Sequence, residues 1–129
     1  MSKQRERKQQ IVNEIKEKLD NSSAVIVTDY RGLNVSQMTK LRAELRNAGI
    51  EYKVLKNTLT SLAARELDLA DLDNYLSGPT AIAFSREDPV APAKVLTKFA
   101  KEHKALEIKG GLLDGKIIDA NSIKALADL

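Results

Sequence analysis

The sequence contains no cysteine, so disulfide bonds and thiolate metal sites are excluded. It has no tryptophan, aromatic residues make up only 4% of it, and histidine occurs once. Long apolar runs are also missing. The first residues, Met-Ser-Lys-Gln-Arg-Glu-Arg-Lys, lack the apolar stretch of a secretory signal, and no segment reaches membrane-spanning length. These absences predict a cytosolic protein.

The residue patterns of common catalytic and metal sites are missing as well. The single histidine, His103, lies in the charged stretch 101–104 and is predicted to be a surface residue. Asp68, Asp71 and Asp73 do not have the spacing of a calcium loop, and helix capping explains them more simply. We therefore expect no cofactor, no metal ion and no small-molecule substrate.

The composition is that of one globular domain covering residues 1–129. Apolar residues make up 43% and charged residues 30% of the chain, and a domain of this size can bury a substantial core. The net charge of +3 is unevenly distributed. Residues 1–60 carry 12 Lys and Arg against 7 Asp and Glu, whereas residues 61–129 carry 9 against 11. This asymmetry indicates either one surface that binds an anion or an ordinary scatter of surface charge.

Hydrophobic periodicity and turn residues divide the chain into alternating helices and strands. Four side chains are predicted to cap helix N-termini, and Gly49 is predicted to end a helix in the left-handed conformation. The predicted caps are Asn34 (with Gln37 completing a capping box), Asn57, Asp88 (with Pro89 at the first helical position) and Asp119. The predicted helices are 3–20, 34–48, one starting at 57, a short turn at 69–76, one starting at 88, and 120–129, and the predicted strands are 24–30, 50–55, 80–84, 106–113 and 117–118.

This order predicts an α/β fold of the α+β sandwich type. It is a ferredoxin-like split βαβ arrangement with an added N-terminal helix, an inserted helical pair, and a C-terminal hairpin plus helix. The strands at 24–27 and 81–84 are the most continuously apolar, which is expected of the two central strands. The N-terminal helix and the inserted pair are expected to cover the sheet face that the other helices leave open.

The basic N-terminal segment is the first candidate binding element. Lys3, Arg5, Arg7 and Lys8 stand against a single acid, Glu6. They could contact the phosphates of a nucleic acid, or they could form a solvated helix end.

The second candidate follows the first strand. Tyr30 could stack on a base, Arg31 could grip a phosphate with its guanidinium fork, and Gly32 would let a sugar–phosphate backbone approach closely. The alternative is a simple strand-ending turn in which the Tyr30 ring extends outward from the core.

The third candidate lies at the end of the second strand and the start of the next helix. Lys53 and Lys56 are next to a helix N-terminus at Asn57 and Thr58, where free N–H groups favour phosphate. A plain helix cap explains the same residues. Because the two strands of a βαβ unit run in the same direction, Arg31 and Lys56 are predicted to share one edge of the sheet.

A fourth candidate is the segment Lys109, Gly110 and Gly111, where the backbone could be approached closely by a ligand. A β-bulge at which the strand bends explains the same residues.

Several stretches together resemble the bacterial ribosomal stalk-base protein family, number ten of the large subunit. The resemblance covers nearly the whole chain. It is carried by the basic N-terminal helix, "DYRGL" at 29–33, "LR.ELR.AG" at 41–49, "YKVLKNTL" at 52–59, "GPTAIAFSREDPVAPAKVL" at 78–96 and "LEIKGGLLDGKIID" at 106–119.

The resemblance implies a structural constituent of the large ribosomal subunit. Such a domain would bind the GTPase-associated region of the large-subunit ribosomal RNA, near large-subunit protein number eleven, and form the base of the stalk that recruits translation factors. Some family members also bind their own messenger RNA and repress its translation. In the family, a long helix after this domain carries dimers of the acidic stalk protein. The sequence ends at Leu129, where the family continues, so we expect it to lack that stalk-docking helix.

Two other functions are compatible with the residues alone. One is a small phosphate-ester or acyl-phosphate hydrolase in which Arg31 holds phosphate and Asn57 orients water. The other is a protein-interaction scaffold that uses the acidic segment 66–73 as its contact surface.

Overall fold

The computed structural model describes residues 3–129. One five-stranded sheet lies between two layers of helices. The helices are α1 (Lys3–Asp20), α2 (Val35–Asn47), α3 (Asn57–Glu66), a 3₁₀ helix (Ala70–Tyr75), α4 (Ala91–Glu102) and α5 (Ala120–Ala127), and the strands are β1 (Ala24–Asp29), β2 (Glu51–Val54), β3 (Thr80–Ser85), β4 (Glu107–Leu113) and β5 (Lys116–Asp119).

The strand order is β2-β3-β1-β4-β5, and all neighbouring strands are antiparallel. This confirms the predicted α+β sandwich of the split βαβ type, with the two most apolar strands, β1 and β3, inside the sheet. Because β3 lies between β1 and β2 and runs against both, β1 and β2 point in the same direction. Their carboxyl ends therefore meet at the same edge of the sheet.

Each face of the sheet carries its own hydrophobic core. On one face, buried side chains of α2, α4 and α5, such as Leu41, Phe99 and Ile123, pack against Ile26 and its neighbours. On the other face, Val12, Ile15 and Leu19 of α1 pack with α3 and the 3₁₀ helix. The expectation that the N-terminal helix and the inserted pair cover the second face is confirmed.

Local capping signals set most of the helix ends. The Asn34 side chain accepts a hydrogen bond from the Gln37 N–H at 2.8 Å, and the Gln37 side chain accepts one from the Asn34 N–H at 3.0 Å. This is the predicted capping box. Gly49 follows α2 at φ +77° in the predicted left-handed conformation, and Asp119 caps α5 through the Ser122 N–H at 2.8 Å.

Two of the predicted caps were wrong in position. Asn57 is the first residue of α3 and not its N-cap; the N-cap is Lys56, whose side chain makes no capping hydrogen bond. Helix α4 begins at Ala91 and not directly after Asp88. The Asp88 carboxylate still accepts hydrogen bonds from the N–H groups of Val90 and Ala91, and these bonds hold its pKa below the usual value. The second member of the inserted pair is a 3₁₀ helix, which is typical of a short connecting segment.

The prediction that His103 is a surface residue was also wrong. His103 is the half-buried residue after α4, and its ring centroid lies 4.3 Å from that of Phe99. Its Nδ1 lies 3.3 Å from Gln37 Nε2. His103 therefore helps to join α4 to the start of α2, which the local charge pattern did not reveal.

Candidate nucleic-acid interface

The carboxyl ends of β1 and β2 form one edge of the sheet, which we call the rim. Along the rim, the Leu55 N–H donates a hydrogen bond to the Thr80 carbonyl oxygen, Thr80 pairs with Asp29, and Asp29 pairs with Glu107. Because neighbouring strands lie about 4.8 Å apart, the ends of β1 and β2 are separated by roughly 10 Å. Residues that follow these two strands are therefore close enough to contact one ligand together.

The loop before β3 connects the residues of the rim. Asn57 Nδ2 donates a hydrogen bond to the Gly78 carbonyl oxygen at 2.9 Å. Lys109 Nζ donates to the Ser77 carbonyl oxygen at 2.7 Å and to Ser77 Oγ at 3.0 Å. Asn57 and Lys109, which the sequence predicted separately, thus meet at residues 77–78. Arg31 also lies at Gly78, as described next.

Arg31 lies directly over Gly78. A methyl group added at Gly78 would be 2.7 Å from Arg31 Nη2 and 3.4 Å from Asp29 Oδ2. The Arg31 N–H donates to Asp29 Oδ1 at 2.7 Å, which fixes the backbone of the turn. The Arg31 guanidinium is exposed and makes no hydrogen bond or ion pair with any other residue of the described range 3–129. Its donors are therefore free for an external acceptor.

The structure gives Tyr30 and Gly32 internal roles. Tyr30 is half-buried and packs against the core on the α2 and α4 face, which agrees with the alternative of a ring extending from the core. Gly32 has φ +94°, and a methyl group there would lie 3.1 Å from Ala105 Cβ. The turn geometry and this neighbour explain the glycine without an approaching sugar–phosphate backbone.

The start of α3 keeps its predicted character despite the shift of the cap. Lys53, Lys56 and Thr58 are exposed. Since no side chain caps α3, its first N–H groups lack a capping acceptor, and Lys56 is the N-cap residue. The Asn57 Oδ1 atom is buried and has no hydrogen-bond partner among residues 3–129. The helix start and Lys56 together offer positive charge at the rim.

The segment at Lys109 is a β-bulge, as the alternative interpretation held. Thr28 pairs with Ile108 and Val27 pairs with Gly110, so Lys109 is the extra residue. The prediction that the glycines admit a ligand backbone was wrong. A methyl group at Gly110 would lie 2.7 Å from the Tyr75 ring, and Gly110 is buried. The bulge instead directs the Lys109 side chain to Ser77.

Buried polar contacts support the rim from below. Thr28 Oγ1 lies 2.6 Å from the Tyr52 hydroxyl and donates to the Ala81 carbonyl oxygen at 2.7 Å. These contacts link β1, β2 and β3 immediately beneath the rim. Burial raises the pKa of Tyr52 to about 12, so the hydroxyl stays protonated at neutral pH.

The predicted basic segment forms the exposed first half of α1. Val12 is the first buried residue of this helix, and every residue from Lys3 to Ile11 is exposed. At 1.5 Å per residue, the exposed part of the helix before Val12 is about 13 Å long. The cations Lys3, Arg5, Arg7 and Lys8 are therefore carried on a helical extension outside the two cores.

Two of the four acids in the segment 66–73 form ion pairs within the domain. Glu66 pairs with Lys16 at 3.3 Å, and Asp73 pairs with Arg65 at 2.9 Å. Hydrogen bonds from Ser61 and Arg65 hold the pKa of Asp73 below its usual value. Asp68 sits in a turn with φ +59°. No observation on this segment favours the interaction-scaffold function.

Comparison with known proteins decides the family. The family model described as ribosomal protein L10 matches residues 3–101. The chain belongs to this family. Relatives named large ribosomal subunit protein uL10, from Bacillus cereus and Bacillus anthracis, are 57% identical over all 129 residues, which is 100% of this chain and 78% of each relative.

Membership in the L10 family confirms the resemblance found in the sequence and the expectation that the chain is not an enzyme. The hydrolase alternative is therefore dropped. Membership in a family of bacterial ribosomal proteins also confirms the predicted cytoplasmic location. Within residues 3–129, none of the helices is both long and apolar enough to cross a membrane, and no cluster of three or more His, Asp or Glu side chains could hold a metal ion.

Sequence reasoning missed Ser77 and Gly78 as part of the rim. As a local pattern, Gly78-Pro79 indicates only the end of the preceding helical segment. A glycine two residues before the buried strand β3, which must lie between β1 and β2 in a split βαβ fold, was the available signal.

Proposed function

We propose that this domain binds large-subunit ribosomal RNA, in the GTPase-associated region, through the rim and the basic extension of α1. The convergence of Arg31, Asn57 and Lys109 on residues 77–78 supports this proposal most strongly. At this edge of the sheet, the unpaired Arg31 guanidinium lies near the N-terminus of α3. Family membership supports the ribosome as the setting of this proposed anion-binding edge.

Each rim group suits a different acceptor on a folded RNA. The Arg31 fork can donate two parallel hydrogen bonds to one phosphate. The uncapped start of α3, at Asn57 and Thr58, offers backbone N–H groups to a second phosphate, with Lys56 and Lys53 adding charge. Because these groups follow strand ends that the sheet holds roughly 10 Å apart, they would recognise the spacing of phosphates and so the shape of the RNA.

The α1 extension contributes in a different way. Lys3, Arg5, Arg7 and Lys8 lie on the first nine residues of α1, all of which are exposed. Such cations strengthen binding mainly by releasing counterions and do little to select a particular RNA structure. We therefore assign specificity to the rim and general affinity to α1.

The proposal is tested by removing two rim cations. Arg31→Ala with Lys56→Ala is expected to weaken binding to a transcript of the GTPase-associated region and to lower the slope of log affinity against log salt by about 1.4–1.8, since each lost phosphate contact contributes ~0.7 to 0.9. The measurement is a series of binding titrations at several salt concentrations.

The matched control removes the same charge elsewhere. Lys94 and Lys98 are exposed on α4, on the opposite helical layer from α1 and α3, and Lys94→Ala with Lys98→Ala should leave the slope nearly unchanged. Thermal unfolding of both double variants shows whether the fold is intact. An unchanged slope in the rim variant, or an equal decrease in the control, would contradict the proposal.

The finer parts of the function rest on the same surface. We propose that the domain forms the base of the ribosomal stalk beside large-subunit protein number eleven. Acidic stalk-protein dimers would attach through the long C-terminal helix of the family. Where a member binds its own messenger RNA, the rim would be the contact surface. Competition between the ribosomal transcript and the leader of that messenger for one site tests this last point.

A further inference from the structure

A second set of unpaired cations lies on α2, beside the edge strand β2. Arg42 and Arg46 are four residues apart, so their side chains leave the same face of the helix. Both are exposed, and neither side chain forms a hydrogen bond or an ion pair with another residue of the range 3–129. Arg65 and Arg86, by contrast, are held in ion pairs. We call Arg42 and Arg46 the arginine pair.

The arginine pair forms one wall of a cleft between α2 and β2. The volume of this cleft is about 610 Å³, and its other lining residues are Gly49, Ile50, Glu51 and Tyr52. Because β2 is the outermost strand on this side of the sheet, no further strand of residues 3–129 lies beyond it. The cleft is therefore open to an external ligand.

The charges around the cleft favour an anion. Among the described residues that line it, the one carboxylate is that of Glu51, and this group is already engaged by the Lys18 ammonium. The single acid of α2, Glu44, is two residues from each arginine and so lies on the opposite side of the helix, at about 3.6 residues per turn. The two guanidinium groups are thus left for an acceptor from outside the domain.

An exposed stripe on α2 connects the arginine pair with the rim. Its members are spaced by four, three and four residues, which places them on one face of the helix. They are Val35, Thr39, Arg42 and Arg46, and all four are exposed. The stripe begins four residues after Arg31 and extends for about 16 Å, at ~1.5 Å per residue. The arginine pair therefore continues the surface that starts at the rim.

Tyr52 shows how close the cleft is to the rim. Its side chain lines the cleft, and its hydroxyl contacts Thr28 immediately beneath the rim. Burial has the largest effect on the pKa of this hydroxyl, and the charges of Arg42 on α2 and of Asp29 at the rim act on it in opposite directions. One hydroxyl thus lies within electrostatic reach of both surfaces.

The two surfaces face different directions. The rim lies at the ends of the strands, whereas the cleft opens sideways beyond β2. A ligand that contacts both must therefore turn around a corner of the domain. Each guanidinium fork can hold one phosphate through two parallel hydrogen bonds, and the two forks start from Cβ atoms about 5–6 Å apart, which suits neighbouring phosphates of one strand. A straight double helix is too stiff for such a turn, whereas a loop or junction provides it.

We propose that the arginine pair is a second phosphate-binding site, which holds an RNA strand where it turns from the rim onto the side of α2. The proposal rests on the proposed binding of RNA at the rim and adds a requirement for the shape of that RNA. A bent RNA contacts both surfaces, and a straight duplex contacts the rim alone. Continuity with the rim favours RNA over an acidic peptide, whose carboxylates would fit the same guanidinium forks.

The test compares two RNAs, the transcript of the GTPase-associated region and a straight duplex with the same number of nucleotides. Arg42→Ala with Arg46→Ala should weaken binding of the transcript at least about tenfold. It should also lower the slope of log affinity against log salt by about 1.4–1.8, since two phosphate contacts are lost at ~0.7 to 0.9 each. Affinity for the straight duplex should stay the same.

The matched control is Lys94→Ala with Lys98→Ala, which removes two exposed cations at the same spacing on α4 and should weaken neither RNA. Thermal unfolding of both variants checks the fold. Unchanged binding of the transcript by the arginine variant, or equal weakening of transcript and duplex, would overturn the proposal. Binding of a polyglutamate peptide at the pair with full transcript affinity would do so in favour of a protein partner. Failure of the rim itself is recognised separately, because Arg31→Ala with Lys56→Ala would then leave both RNAs bound as before.

Discussion

The sharpest test of the rim is a single methyl group at Gly78. In Gly78→Ala the new Cβ would lie 2.7 Å from Arg31 Nη2, whereas an ordinary contact begins near 3.4 Å. The obstacle is the flexible end of a side chain, so the guanidinium moves aside by roughly 1 Å and the fold persists. The cost to folding comes instead from the backbone, since Gly78 has φ +68° and alanine in that region loses about 1–2 kcal/mol.

The expected result is a modest loss of stability with a clear loss of RNA affinity. Complete removal of a charged hydrogen-bonding group costs about 1.5–3 kcal/mol, or roughly tenfold to a hundredfold in affinity. A displaced guanidinium keeps part of that contact, so Gly78→Ala should weaken RNA binding by about three- to tenfold. Because the change acts through Arg31, the double variant Gly78→Ala with Arg31→Ala should bind no more weakly than Arg31→Ala alone.

Gly49 supplies the matched control. It has φ +77°, close to that of Gly78, but a methyl group there would meet nothing within 4 Å. Gly49→Ala should therefore lose a similar amount of stability in urea unfolding and retain full RNA affinity. The reasoning is refuted if Gly78→Ala binds RNA as well as the unmodified chain, or if Gly49→Ala loses as much affinity.

Two further predictions concern the sheet. Gly111→Ala would place a methyl group 1.8 Å from the Val25 carbonyl oxygen, which belongs to the backbone and cannot turn away, so urea unfolding should show a loss of at least about 3 kcal/mol. Gly115→Ala, with φ +79° and open space, is the control, and equal losses would contradict the packing argument. For Tyr52, the pKa is raised from 10.0 to about 12, so ionisation in the unfolded chain should remove about 2–3 kcal/mol of stability as the pH rises from 10 to 12. Tyr52→Phe should lack this part of the alkaline loss, and identical pH profiles for the two proteins would refute it.

The fold was predictable because its signals are local and agree with one another. Strands β1 and β3 are apolar on both faces, α1 carries Val12, Ile15 and Leu19 at helical spacing, and short-range signals such as the Asn34 capping box mark the helix ends. With the alternation of elements known, the split βαβ topology brings the ends of β1 and β2 together. The shared edge of Arg31 and Lys56 followed from that topology.

The details of the rim depended on contacts between distant segments. The Asn57 side chain turns to the Gly78 carbonyl oxygen, and no local pattern around Asn57 distinguishes that contact from helix capping. The bulge at Lys109 is defined by pairing with β1, and the partial burial of His103 by its contacts with Phe99 and Gln37. Such contacts require the assembled fold, so the sequence indicated the location of the site without its internal connections.

The hydrogen bond between Asn57 and Gly78 joins the two ends of the segment 56–79, which leaves the rim as α3 and returns to it before β3. That segment also packs on the core of the α1 face, to which it contributes the buried residues Ala63, Ala64 and Leu72. Opening it would therefore expose apolar surface and dismantle the rim in a single event. A bound RNA should consequently slow amide exchange far from its own contacts, along the buried side of α3 and the 3₁₀ helix.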